Sequence, residues 1–235
     1  MAEYRTGCMV CGKPLRYLES PEEHECAYCH RVQKTSTLCE DGHFVCDRCH
    51  SLSADDAIEQ YCVRTAETDP VRMAITLMQN PVVNMHGPEH HFLVPAVLLA
   101  AYCNVTGQKE KKAKLIATAH ERAGAIPGGA CGFMGDCGAA VGTGIFVSLV
   151  TGATPLSRRE WQQANMVVAR SLMTIAEHGG PRCCKRNTFL AIQGAVAFAA
   201  EHLGVKIPLD PKVTCRFFGM NKECRMTDCP FYPVR

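Results

Sequence analysis

"GACGFMGDCGAAVGTGIFVSLV", residues 129–150, is the stretch on which the fold of this chain turns. Cys131 and Cys137 lie among six glycines, and the segment then becomes apolar. A helix from near Asp136 to about residue 151 accounts for the second half. Its first turn would hold Cys137, where unpaired backbone N–H groups and the helix dipole favour a thiolate. Gly138, Gly142 and Gly144 each cost such a helix roughly 1 kcal/mol against alanine. Something must offset that cost: a second helix packed at close backbone distance, or a cofactor against the bare face.

Outward from this segment the chain reads as helical. "SADDAIEQYCVRTAE" begins with Ser53 as an N-cap followed by two aspartates. "DPVRMAITLMQNP" has Asp69 before Pro70 at the first helical position and Pro81 beyond its end. Further helices are expected near 94–104, 108–123, 136–151, 158–178 and 188–203. Ser157 with Glu160 reads as a capping box, and Gly179 as the stop of the 158–178 helix. No two-residue alternation persists in this region. The fold class expected is therefore mainly α. A small N-terminal zinc-ribbon-like β head (1–50) sits on an all-α helical domain (51–208), with a cysteine-rich C-terminal tail (209–235) packed on it.

Composition narrows the function. The chain has 235 residues, 47% of them hydrophobic, enough for one core of ordinary size and a satellite. A formal charge of +2 gives no basic field for nucleic acid. The longest apolar runs fall short of the roughly 20 residues of a membrane span. "MAEYRTGCMVCGK" shows no basic region followed by an apolar one, so a cytoplasmic protein is expected. Sixteen cysteines in that compartment point to metal ligation or thiol chemistry rather than disulfides.

The head carries the clearest metal signal. Cys8 and Cys11, Cys26 and Cys29, then Cys39, His43, Cys46 and Cys49 supply eight ligands for two zinc ions. They can close serially, Cys8–Cys29 then Cys39–Cys49, or interleaved. The serial form is preferred because each half already completes a four-ligand set. His24, His30 and His50 stand outside those sets.

A second group of thiols lies in the body. "GGPRCCKRN", residues 179–187, places Cys183 and Cys184 in another glycine-flanked turn before a helix. Neighbouring cysteines rarely bridge each other without strain, so their partners are expected elsewhere. Lys185 and Arg186 would favour thiolates or hold an anion there. Cys131, Cys137, Cys183 and Cys184 thus read as one constellation. In the tail, "CRFFGMNKECRMTDCPFYP" adds Cys215, Cys224 and Cys229, the last followed by proline as in many iron–sulfur ligand runs. Three cysteines need a fourth from the body, or leave an iron open; a third zinc site is the alternative. Cys62 and Cys103 belong to the core.

"HGPEHH", residues 86–91, matches the form HxxEH with His86, Glu89 and His90. That motif needs a helix interior, and Gly87 with Pro88 sits inside it here. Pro88 suits a helix start instead. A ligand or proton-transfer role for these groups and His91 stays open beside simple capping.

The runs "GHFVCDRCH", "PEHHFLVPAVLLAAY", "GACGFMGDCGAAVGTGIF", "GGPRCCKRN" and "NKEC" to "CPFYP" together resemble, over nearly the whole chain, a cysteine-rich family of unknown function found mainly in anaerobic prokaryotes. Its members are sometimes labelled S-adenosylmethionine-dependent methyltransferases. A looser likeness is to putative redox-active proteins with a C, GCAxxG, C, C pattern; Gly138 replaces the alanine after the cysteine, and the later cysteines are adjacent. The resemblance implies a redox or metal-cluster role and supplies no reaction.

The function expected first is a metal-binding protein of anaerobic redox or sulfur metabolism with a redox or enzyme protein as partner. Zinc would hold the head. Cys131, Cys137, Cys183 and Cys184 would react, and Cys215, Cys224 and Cys229 would ligate an iron–sulfur centre or cycle as thiols. A non-catalytic, zinc-dependent assembly protein is the alternative, and a methyltransferase or its accessory subunit the third. Against the last, "VGTGIF" lies inside a helix rather than in a turn after a strand.

Overall fold

A hairpin head, a set of helices and an irregular tail make up residues 8–50, 52–210 and 212–233, the residues described in a computed structural model. The reading of the N-terminus as free of an export signal falls partly on residues 1–7, outside the described residues, as does the side chain of His50. The head is an antiparallel pair, β1 (Leu15–Glu25) and β2 (Val32–Cys39), running from Leu15 opposite Cys39 to Glu25 opposite Val32 with a shift of register between Tyr17 and Glu22. It ends in the short helix α1 (Asp47–His50). Arg64 of the following helix, α2 (Ala54–Arg64), donates to the Cys29 carbonyl at 3.1 Å and ties the head to the body.

The body is helical, as its sequence periodicity requires. Ser53 caps α2 by accepting from the Asp56 N–H at 3.2 Å. Asp69 caps α3 (Pro70–Gln79) through the Val71 and Arg72 N–H groups, and its other oxygen accepts from the Asp210 N–H at 2.8 Å, which pins the start of the tail. The central helix is α4 (Glu89–Thr106), buried on nearly every side. It starts five residues before the expected 94 because Pro88 is set for the first turn and the Glu89 carboxylate folds back onto the Asn84 N–H, at 2.7 Å. Then follow α5 (Lys109–Gly124), the single turn α6 (Ala130–Phe133), α7 (Gly138–Thr151), α8 (Arg159–Glu177) and α9 (Cys184–Phe198), extended by a π-helical turn. Among the described residues no helix is long and apolar enough to cross a membrane.

The bare face of α7 is filled by other helices. A side-chain carbon on Gly142 would lie 2.8 Å from the Pro95 ring and 3.1 Å from the His91 carbonyl of α4. One on Gly138 would overlap the His91 imidazole, and one on Gly144 would strike Val168 of α8. Close helix packing therefore answers the glycine question, and buried apolar contact on both sides of α7 offsets the lost propensity.

Two local expectations need correction. The Ser157–Glu160 capping box does not form: the Ser157 hydroxyl accepts from the Thr154 N–H at 3.0 Å, leaving Arg158 as the residue before α8. The helix expected from 188 begins at Cys184, because the Cys183 sulfur caps it by accepting from the Arg186 N–H at 3.5 Å. Cys62 and Cys103 are fully buried in the core, as expected.

Candidate functional site

Two metal-type ligand sets occupy the head. Cys8, Cys11, Cys39 and His43 form one, and Cys26, Cys29, Cys46 and Cys49 the other; within each set the ligand atoms all lie within 4.8 Å of one another. The pairing is interleaved, not the serial one preferred from sequence. The hairpin causes this. Pairing Leu15 with Cys39 brings the knuckle before β1 to the chain leaving β2. Cys26 and Cys29 sit at the hairpin turn, to which residues 44–49 return through a bridge between Cys26 and Phe44. Each knuckle bends through a left-handed residue, Gly12 at φ 77° and His30 at φ 55°.

The chemistry of these sets fits zinc or a similar tetrahedral ion. The Cys29 and Cys46 sulfurs are 3.8 Å apart, the separation that two ~2.3 Å Zn–S bonds at the tetrahedral angle produce. Backbone N–H groups point at the sulfurs: Val10 at Cys8 and Asp41 at Cys39, both 3.3 Å, and Cys46 at Cys26, 3.4 Å. Burial pushes the Cys39 thiol up, but the Asp41 N–H and His43 outweigh it and hold it lowered, at about 7. Its neighbour Cys11 is pushed up to about 11, by burial first. A bound divalent ion displaces the protons of thiols that ligate it. His24 and His30 face Glu22 and Glu25 instead.

A third group lies where the tail meets α9. Cys183, Cys215, Cys224 and Cys229 line one cavity, walled by Phe189, Phe217, Phe231 and Tyr232. The tail shares with the head backbone N–H groups aimed at its sulfurs, Phe217 at Cys215 at 3.3 Å and Met226 at Cys224 at 3.4 Å, although among the described residues only the two head sets draw their ligand atoms within 4.8 Å of one another. Its two ends are clasped by the Cys215 N–H donating to the Phe231 carbonyl at 2.7 Å. Arg225 donates to the His178 carbonyl and lies over Gly179, where a side-chain carbon would come within 2.9 Å of its guanidinium. Burial raises both Cys183 and Cys215, the latter to about 11, against the pull of these N–H groups.

The adjacent cysteines part company. Cys183 faces the tail, whereas Cys184 lines a cleft on the other side with His86, His91, Cys131 and Arg182. Cys137, the residue before α7, accepts from the Asn187 side chain at 3.5 Å and lines the neighbouring lobe with Cys131 and Arg182. The constellation read from sequence is thus divided: Cys183 stands with Cys215, Cys224 and Cys229, and Cys131, Cys137 and Cys184 surround the cleft. Lys185 is not beside the thiols. Its ammonium reaches the Asn84 carbonyl at 2.8 Å and lies over the Phe217 ring, because α9 turns it into the core. Arg186 donates to the Gly179 carbonyl at 2.7 Å, and its charge opposes the burial that raises Cys183. Burial pushes Cys184 up to about 11, so flanking cations do not make it a thiolate as expected.

The HGPEHH residues serve other ends. His86 joins the tail through the Asn221 side chain, 3.1 Å away. Glu89 accepts from the Asn84 N–H in the loop before its helix, and His90 is buried with Nδ1 3.1 Å from the Gly87 carbonyl. His91 packs on Gly138. Sequence reasoning missed Arg182 and Asn187. Both lie within the quoted 179–187 run, and Asn187 is one helical turn beyond Cys183, the signal that could have found it.

The chain matches a family model described as a family of unknown function (DUF5714) over residues 58–232. Both the cleft and the tail cavity fall within that span, and the metal head falls outside it. No curated protein and no solved structure matches the chain. The chain is a member of this DUF5714 family of unknown function.

Proposed function

We propose that the chain is a metal-dependent thiol protein of redox or sulfur metabolism, with zinc in the two head sets and an iron–sulfur centre held by Cys183, Cys215, Cys224 and Cys229. One observation carries this reading: three tail cysteines and the cap of α9 line a single cavity, with backbone N–H groups aimed at the sulfurs as in the head. The aromatic wall supports iron–sulfur over a third zinc, since exclusion of water is a lever on cluster potential. Pro230 after Cys229 agrees with it. When bound, such a centre supplies one-electron transfer. The chain's own groups ligate it, shield it, and hold its sulfurs through Phe217 and Met226. A redox protein of the cytoplasm would exchange electrons with it.

Anaerobic purification followed by elemental analysis tests the reading. Two zinc ions and iron per chain are expected, with thiolate-to-iron absorption. Cys183→Ser should lose the iron and keep the zinc. Zinc in place of iron, or equal iron in both proteins, would contradict it.

A further inference from the structure

The cleft beside the tail has the make-up of a substrate site. Its two lobes, about 810 Å³ and 490 Å³, share Cys131, Gly132 and Arg182, so Cys131 stands where they meet. Volumes of this order suit a small organic ligand. Among the described residues no carboxylate lines either lobe, and Arg182 forms no hydrogen bond or ion pair. The nearest carboxylate in sequence, Asp136, stands between the lining residues Gly135 and Cys137 and acts electrostatically on His91, and Glu89 is turned to the Asn84 N–H. The N-terminus of α7 also opens here, with no side-chain cap from Cys137. Leu172, Met173 and Ala176 of α8 give the larger lobe an apolar floor. Cys131, Cys137 and Cys184 are neither sealed in nor fully exposed.

We propose that this cleft binds a small anionic disulfide, with Arg182 and the N-terminus of α7 holding its negative group and Cys131 presented as the attacking thiol. An apolar body would rest on α8. In the step, the Cys131 thiol loses its proton to water and its sulfur attacks one sulfur of the ligand. A protein–ligand S–S bond forms, the ligand's own S–S bond breaks, and the departing half leaves as a thiolate with the bonding pair. No external electron donor enters this exchange. The proposal extends the reading above, since it names a substrate class for thiols next to the metal centre, but it does not require iron in that centre.

The probe pair is 5,5′-dithiobis(2-nitrobenzoate), a dianionic aromatic disulfide, and neutral 4,4′-dithiodipyridine, each added to the full-length protein purified without oxygen. The first adduct with the dianion should map by peptide mass to Cys131. Its rate relative to the neutral reagent should exceed the ratio for free cysteine. Arg182→Ala should cut that relative rate about tenfold, the size of one hydrogen bond to a charged group, and leave the neutral reagent within about twofold; Arg182→Lys should restore part of it. Arg182 is exposed and has no ion pair among the described residues, so these changes leave the fold intact. An unchanged ratio in Arg182→Ala, or a first adduct elsewhere, overturns the proposal. Failure of the metal reading looks different: Cys215, Cys224 and Cys229 would be labelled in wild type without loss of the Cys131 phase.

Discussion

The head and the tail bring cysteines together in opposite ways. In the head eight ligands come from residues 8–49, and the two sets close to within 4.8 Å. In the tail centre Cys183 arrives from the far end of a helical domain to meet three cysteines at 215–229, around a cavity with an aromatic wall. A local hairpin can bring its own ligands together, and such a site is closed and structural. A cluster of cysteines that spans the tertiary fold exists only when the fold does, and this one lies beside the cleft lined by Cys131, Cys137 and Cys184. The head also lies outside the 58–232 family match, whereas the tail centre and cleft lie inside it.

The largest effect expected is from metal removal. Structural zinc contributes about 10 kcal/mol or more in zinc-finger peptides, so chelation should abolish order in the hairpin while far-ultraviolet circular dichroism keeps its helical signal. Collapse of both together would erase the contrast between the regions. Gly142→Ala comes next. The added methyl meets the Pro95 ring and the His91 carbonyl, neither of which can rotate away, and overpacking of this kind costs about 1–3 kcal/mol. Urea unfolding should show that loss; Gly144→Ala, which meets only the Val168 side chain and the Ala164 carbonyl at 3.2 Å, should cost less.

Acid should distinguish the regions as well. Burial, aided by the Lys185 charge, holds His90 well below the usual imidazole value. Above 6.5 neither folded nor unfolded His90 carries a proton, and stability is flat. Below it the unfolded chain takes up a proton that the folded one refuses, so stability falls as pH drops, by up to about 1.4 kcal/mol per pH unit. His90→Gln should remove that part of the slope in unfolding measured between pH 5 and 7.5, and leave whatever slope comes from protonated metal ligands in the head. The smallest effect is expected at the junction. Ser53→Ala removes the α2 cap and should cost about 1 kcal/mol in the same unfolding assay.

The caps at Ser53 and Asp69, the helical periodicity and the eight head ligands were legible because each is set by residues within a turn or two of one another. The interleaved pairing was not, since it depends on the hairpin register of Leu15 with Cys39. The glycines of α7 announced a close approach but not what approached; His91, Pro95 and Val168 come from helices distant in sequence. Adjacent Cys183 and Cys184 read as one feature, yet neighbours at the start of a helix point about 100° apart, and here they serve different cavities. Lys185 read as a cation for anions because its charge is visible in sequence while its burial against Val83 and Asn84 is not.

The account stands most directly on where each metal sits. Anomalous scattering from crystals of the anaerobically purified protein, recorded at the iron and zinc edges, locates both. The account predicts an iron peak bounded by Cys183, Cys215, Cys224 and Cys229, and two zinc peaks confined to the interleaved sets of the head. Zinc at the tail, or no peak between those four sulfurs, would contradict it.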